Sequence, residues 1–241
     1  LNGGRIGALR THSRAVEDYL KAIFKLQAES AQVSTTALAA ELARSAASVT
    51  NMVKGLAERG LLVHEPYHGV RLTRLGEATA LRIIRRHRVI ETYLIDRLGY
   101  TWDGVHAEAD RLEHAASDEL IDRMARALGD PDEDPHGAPI PSPEGVIASR
   151  DLVSLAEIGP GVEAVVREVP DEDSARLREL AAAGFLLGTR LIVTDASAAG
   201  DVTVLIEGDE RRLDAVTASL IRLERIESTP VDDSDDSVKG R

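Results

Sequence analysis

The chain has 241 residues, more than one typical domain, and 43% of them are apolar; Phe, Tyr and Trp together reach only 3%, so Leu, Val, Ile and Ala must fill its core. No cysteine occurs, which excludes disulfide frameworks, thiolate-bound zinc, iron–sulfur clusters and thiol nucleophiles. The net charge of −12 hides an asymmetry: residues 1–90 carry 14 Lys and Arg against 7 Asp and Glu (net +7), and residues 91–241 carry 15 against 34 (net −19), so the two parts face different partners.

Residues 1–10 are polar and lack a signal-peptide pattern, and no apolar run approaches the roughly 18 residues of a membrane span, so a cytoplasmic protein without a membrane partner is expected. Val16, Leu20, Ile23, Phe24 and Leu26 recur at helical spacing over 13–29, with Ser13 placed to cap. Ser34 precedes a short helix carrying Leu38 and Leu42. Ser45 then opens a helix over 46–59 that buries Val49, Met52, Val53 and Leu56 and stops at Gly60, which completes a helix-turn-helix. Residues 61–65 and 70–73 are short strands around a turn-rich tip of Pro66, Tyr67, His68 and Gly69, the shape of a wing.

Thr73 caps a long helix that Gly99 ends, and a single further helix is predicted over 105–128 from Val105, Ala109, Leu112, Ala116, Leu120, Met124 and Leu128. Residues 129–145 contain five prolines and three glycines, which prevents helix or central strand and makes this stretch a linker or a wrapped arm. Strands are predicted over 161–169, 190–195 and 202–207, with a short helix near 174–183, as in a small barrel-like β domain. The Asp- and Ser-rich stretch 228–241 reads as a disordered acidic tail. The chain is therefore expected to be mainly α with a small β domain: a winged helix-turn-helix region over 1–75, a helical region with its Pro-rich arm over 76–145, and the β domain over 146–227.

Two constellations carry chemistry. In the recognition helix, the small residues Ser45, Ala47 and Ser48, with Thr50, let the backbone approach a phosphate or base edge. Asn51 has the donor–acceptor pair that reads adenine, and Lys54, His68 and Arg71 suit phosphates. In the second, His106, Asp110, Glu113 and His114 stand at i, i+4, i+7 and i+8, on one face if helical. His87 and Glu91 stand at i and i+4 in the preceding helix, and Asp18 is a seventh candidate. Imidazole and carboxylate without thiolate suit a divalent first-row ion, Mn2+ before Fe2+, with Zn2+ able to bind. The competing reading is a salt-bridged helix face, since Arg88 and Arg111 lie nearby.

These residues resemble the metal-dependent transcriptional regulators of the diphtheria toxin repressor and manganese transport regulator family. The likeness runs through Glu17-Asp18-Tyr19-Leu20, residues 45–51, Leu72-Thr73 with Gly76, Arg86-His87-Arg88, His106, Asp110-Arg111-Leu112-Glu113-His114 and the arm motif Gly137-Ala138-Pro139-Ile140-Pro141. The resemblance implies a winged helix-turn-helix, a helical metal-binding and dimerisation domain, and an SH3-like, FeoA-like third domain. It implies a homodimer, not an enzyme, that binds double-stranded operator DNA when metal-loaded and represses metal-uptake genes. Carried over residue by residue, Asp18, Asp110, Glu113 and His114 form the primary site, and His87, Glu91 and His106, with Asp173 from the third domain, form an ancillary one. Iron-responsive relatives carry Met and Cys where Asp18 and Asp110 stand here, so the resemblance favours Mn2+ with Fe2+ as alternative and Zn2+, Co2+ or Cd2+ as substitutes. Manganese-selective relatives place a glutamate where this chain has Lys21, which cannot coordinate while protonated. A metal-independent winged-helix regulator sensing a small molecule is the rival.

Overall fold

The computed structural model describes residues 12–28, 30–65 and 68–226, which leaves the predicted acidic tail, residues 1–10 and the wing-tip pair Pro66 and Tyr67 outside the described residues. The chain divides into two compact units, 1–148 and 149–241.

The first unit begins with α1 (Arg14–Gln27), α2 (Thr35–Glu41) and α3 (Ala46–Glu58). Ser34 and Ser45 cap α2 and α3 through their hydroxyls, accepting from the Ala37 and Ser48 N–H groups; Ser13 occupies the corresponding place before α1 but makes no side-chain capping bond. Between α2 and α3, Ala43 adopts a left-handed φ of 49°, a conformation usually left to glycine, and this turns the chain into the helix-turn-helix. The α1 stripe of Val16, Tyr19, Leu20 and Ile23 packs on Leu38, Val49, Val53 and Leu56. β1 (Leu62–Glu65) and β2 (Gly69–Leu72) pair antiparallel as the wing.

α4 (Arg74–Leu98) starts at a Thr73 cap and ends at Gly99, whose φ of 71° is left-handed. At 25 residues it is about 37 Å long, enough to pack on α1 at one end and on α5 (His106–Leu112) and α6 (Asp118–Ala127) at the other. The junction is tight: a Cβ at Gly76 would sit 1.9 Å from the Leu61 carbonyl oxygen, so only glycine lets α4 start against the winged-helix layer.

The single helix expected over 105–128 is two. Helical geometry continues through Glu113 (φ −55°, ψ −35°) and gives way to a turn at His114, and Ser117 then caps α6 by accepting from the Leu120 N–H, with Asp118 and Glu119 in the first turn. A Ser followed by two acids is an N-terminal signal that competes with continued periodicity. Val89, Ile90, Leu94, Val105, Ala109, Ile121 and Ala125 form the core of this layer, and Ile140 of the arm is buried among them. The arm is thus wrapped: Arg85 and Arg88 of α4 donate to the Pro141 and Pro139 carbonyls, and Asp134 accepts from the His136 and Ala138 N–H groups.

The second unit is an antiparallel six-stranded sheet in the order β3-β8-β4-β5-β6-β7. Its strands are β3 (Val153–Ser154), β4 (Glu163–Glu168), β5 (Arg190–Ala196), β6 (Val202–Ile206), β7 (Asp209–Leu213) and β8 (Arg222–Arg225), with α7 (Ser174–Ala182) and α8 (Ala215–Leu220) between them. Phe185, Leu191, Val193, Val204 and Leu223 are buried in its core. Three strands and α7 lie where the sequence puts them; β3, β7, β8 and α8 go unpredicted. Among the described residues no helix is long and apolar enough to cross a membrane.

A candidate metal centre and nucleic-acid interface

Three helices converge on one polar pit in the first unit. α1 contributes Glu17, Asp18 and Lys21; α4 contributes His87 and Glu91; α5 and the turn after it contribute His106, Asp110, Glu113 and His114. Among the described residues of the first unit, four overlapping groups have ligand atoms within 4.8 Å of one another: Asp18 with Glu113 and His114; His87 with Asp110 and Glu113; His87 with Glu91 and His106; and Glu91 with Asp134 and His136. The His114 Nε2 lies 3.0 Å from Asp18 Oδ1 and 3.3 Å from Glu113 Oε1. His87 joins the groups, its Nδ1 2.6 Å from Glu113 Oε2 and its Nε2 3.0 Å from Glu91 Oε1 and 3.1 Å from His106 Nδ1.

Sequence spacing predicts most of this cluster but not its division. Asp110 falls with His87 and Glu113, around Lys21, and not in the group of Asp18 and His114. Asp173 lies in the second unit, where its exposed carboxylate caps α7 by accepting from the Ala175 and Arg176 N–H groups, a local bond that its position before a helix start explains. Glu17 escaped the sequence reading of the site, and Lys21 entered it only as a residue that cannot coordinate. Glu17 is buried and its Oε2 lies 2.7 Å from His114 Nδ1, which fixes the ring so that Nε2 points at Asp18 and Glu113. Lys21 donates to Asp110 Oδ1 at 2.9 Å and to both Glu113 oxygens at 3.1 and 3.0 Å. The signal for both is their place on the Asp18 helix, Glu17 adjoining it and Lys21 about one turn on.

The pit is electrostatically unbalanced. Glu91 and Glu113 are buried to 0% and 1% exposure, where a carboxylate requires positive partners. Burial alone would pull His87 down, but hydrogen bonds to Glu113 and Glu91 outweigh it and push its pKa up to about 9. Burial likewise opposes the charge of Lys21, and Glu113 and Asp110 overcome it and hold the ammonium above its ordinary value. Burial raises Asp18, an effect only partly offset by His114 and Arg14. For Asp110 the burial effect is the largest single one, yet the charge of Lys21 and its hydrogen bond, with His87 and His106, reverse it and lower the pKa. Lys21 and protonated His87 thus face Glu91, Asp110 and Glu113, while Glu17 and Asp18 lie against the two nitrogens of His114. An oxygen- and imidazole-lined pit with excess negative charge and no sulfur fits a divalent first-row cation.

The recognition helix α3 is built the opposite way. Val49, Val53 and Leu56 are buried, and Ser45, Ala47, Ser48, Asn51 and Lys54 are exposed on the other side. Thr50 is half-buried and its hydroxyl donates to the Ala46 carbonyl, so it caps no outside group. On the wing, His68 and Arg71 are exposed, with Arg71 Nε 3.8 Å from Glu65 Oε1, a loose pairing that leaves the guanidinium accessible.

Residues 12–70 match the family model described as iron dependent repressor, N-terminal DNA binding domain, and residues 73–142 match its metal binding and dimerisation domain. The iron-dependent repressor IdeR of Mycobacterium leprae (strain TN) is 31% identical over 223 residues, spanning 87% of this chain and 96% of that protein. This chain belongs to the iron-dependent repressor family. Residues 153–225 match the FeoA domain, which identifies the six-stranded unit as the SH3-like third domain. The diphtheria toxin repressor of Corynebacterium glutamicum is 28% identical over 225 residues, 88% of this chain and 96% of that one. Among solved structures, a manganese-dependent transcriptional repressor in complex with manganese superposes with a TM-score of 0.82 at 38% identity, covering 88% of this chain and all of that one. The manganese regulator SloR superposes with a TM-score of 0.77 at 30% identity, covering 88% and 98%.

Proposed function

We propose that this chain is a manganese-activated transcriptional repressor that binds a palindromic operator as a homodimer and controls metal-uptake genes. The observation that carries the reading is the convergence of Asp18 from the winged-helix layer with Glu113 and His114 from the helical layer, an oxygen-rich and sulfur-free donor set. In this reading Asp18 and Glu113 supply oxygens and His114 supplies Nε2, while Glu17 holds the imidazole from behind. His87, Glu91 and His106 form the ancillary group.

A bound divalent ion supplies the positive charge that these carboxylates lack. The donors sit on separate elements, α1 and the turn after α5, so they bind an ion well only when the two layers are correctly apposed. That difference in affinity is what shifts the population toward the DNA-competent arrangement. Asn51 then reads a base edge, and Ser45, Ala47, Ser48, Lys54, His68 and Arg71 meet the backbone around it. A two-fold dimer reads half-sites separated by about 34–36 Å or a multiple.

The test pairs metal analysis of the purified full chain with binding to a duplex selected from a random library in Mn2+. Zn2+ and Co2+ are expected to occupy the site at lower concentration, since Mn2+ is the weakest binder of the series, but the operator affinity at saturating metal is expected to be highest with Mn2+ and lost in excess chelator. Full affinity in chelator would establish the metal-independent alternative. Iron is the second reading, favoured by the 31% identity to IdeR, and an anaerobic Fe2+ arm that outperforms Mn2+ would select it.

A further inference from the structure

The position of Lys21 has a meaning that the ligand set alone does not convey. Its Nζ lies 2.9 Å from Asp110 Oδ1, 3.1 and 3.0 Å from the two Glu113 oxygens and 3.3 Å from His87 Nδ1. His87, Asp110 and Glu113 are themselves one of the four groups with metal-ligand spacing. The ammonium therefore stands where a cation at that group would stand. The Glu113 carboxylate, chelating Lys21 with both oxygens, is also shared with the neighbouring group of Asp18 and His114.

We infer that Lys21 is a tethered cation that keeps metal out of the His87–Asp110–Glu113 pocket and sets the metal threshold of the adjacent Asp18–Glu113–His114 site by competing for Glu113. The inference rests on the proposed metal centre. Two physical effects act together. A second positive charge beside the ion opposes binding, and in a partly buried pit such repulsion is screened far less than in water. The ion must also take a Glu113 oxygen from a donor that already holds it. Because Lys21 and Asp18 are on α1, the ammonium ties α1 to the turn after α5 without metal, so the metal-free protein keeps part of the same clamp.

The experiment compares full-length wild type with Lys21→Met, Lys21→Gln and Lys21→Arg. Each is titrated with MnCl2 by calorimetry and melted in chelator and in saturating Mn2+. Lys21→Met and Lys21→Gln are expected to bind Mn2+ about tenfold tighter or more. They are also expected to melt lower than wild type in chelator but not in Mn2+. Lys21→Arg, which keeps the charge, should bind no tighter than wild type. Equal Mn2+ affinity in wild type, Met and Gln variants would overturn the inference and leave the metal centre standing, as would a Lys21→Arg as tight as Lys21→Met. Absence of Mn2+ binding in all four proteins would overturn the metal centre and the inference with it.

Discussion

The outer face of α3 and the pit between α1, α4 and α5 are both lined with polar side chains, yet they are opposite kinds of surface. On α3, Ala47, Ser48, Asn51 and Lys54 stand in solvent above an apolar stripe, and their removal leaves the stripe intact. In the pit, Glu91, Glu113 and His87 are buried and held by one another and by Lys21, His106 and His114, so each is part of the structure as well as of the candidate site. The lesson is that burial, not residue type, decides whether a functional side chain can be altered without altering the fold.

The largest break in that comparison is expected at Glu113. Glu113→Ala strands Lys21 and protonated His87 without their shared partner, and should cost about 3–5 kcal/mol of metal-free stability in urea titrations as well as metal-dependent operator binding. A loss of binding with unchanged stability would show that the pit is not electrostatically coupled.

Next in size is a pH effect in metal-free protein. His87 binds its proton more tightly folded, with a pKa of about 9, than unfolded, at 6.5. The stability it contributes, roughly 3 kcal/mol, is therefore complete below about pH 6.5 and disappears as the pH rises through 9. Urea midpoints between pH 6 and 10 should fall accordingly, and the part of that fall due to His87 should vanish in His87→Gln; an identical pH profile in the variant would refute the assignment.

At Asn51 the expectation reverses. Asn51→Ala should weaken binding to the selected operator by about 1–3 kcal/mol while Mn2+ affinity and melting temperature stay at wild-type values. A shift in either of those would mean that α3 is not the independent surface described. The smallest effect belongs to Thr73, whose hydroxyl caps α4 at Gly76; Thr73→Ala should cost about 1 kcal/mol of stability, read by denaturant midpoint, with metal affinity little changed.

Features governed by neighbours in sequence were legible in it. Ser34, Ser45 and Thr73 cap the helices they precede, Gly99 ends α4, and the apolar spacing of α1 and α3 separates their buried and exposed sides. The break between α5 and α6 was less legible, because the apolar stripe over 105–128 persists across it and hides the Ser117 cap. β7 (DERRL) and β8 (RLER) were invisible for a related reason: they are mostly exposed strands held by pairing with β6 and with β3 and β4, so their residues carry little apolar alternation.

The site divides in the same way. The donor types, their spacing along α4 and α5, the absence of cysteine and the basic winged helix are all readable from the chain alone, because these are properties of composition and of helical repeat. Tertiary structure decided the rest: that Glu17 backs His114 across 97 residues, that Asp110 groups with His87, and that Lys21 reaches Glu113 across 92 residues. Such pairings follow from where whole helices pack, and no local periodicity encodes which buried charge will meet which.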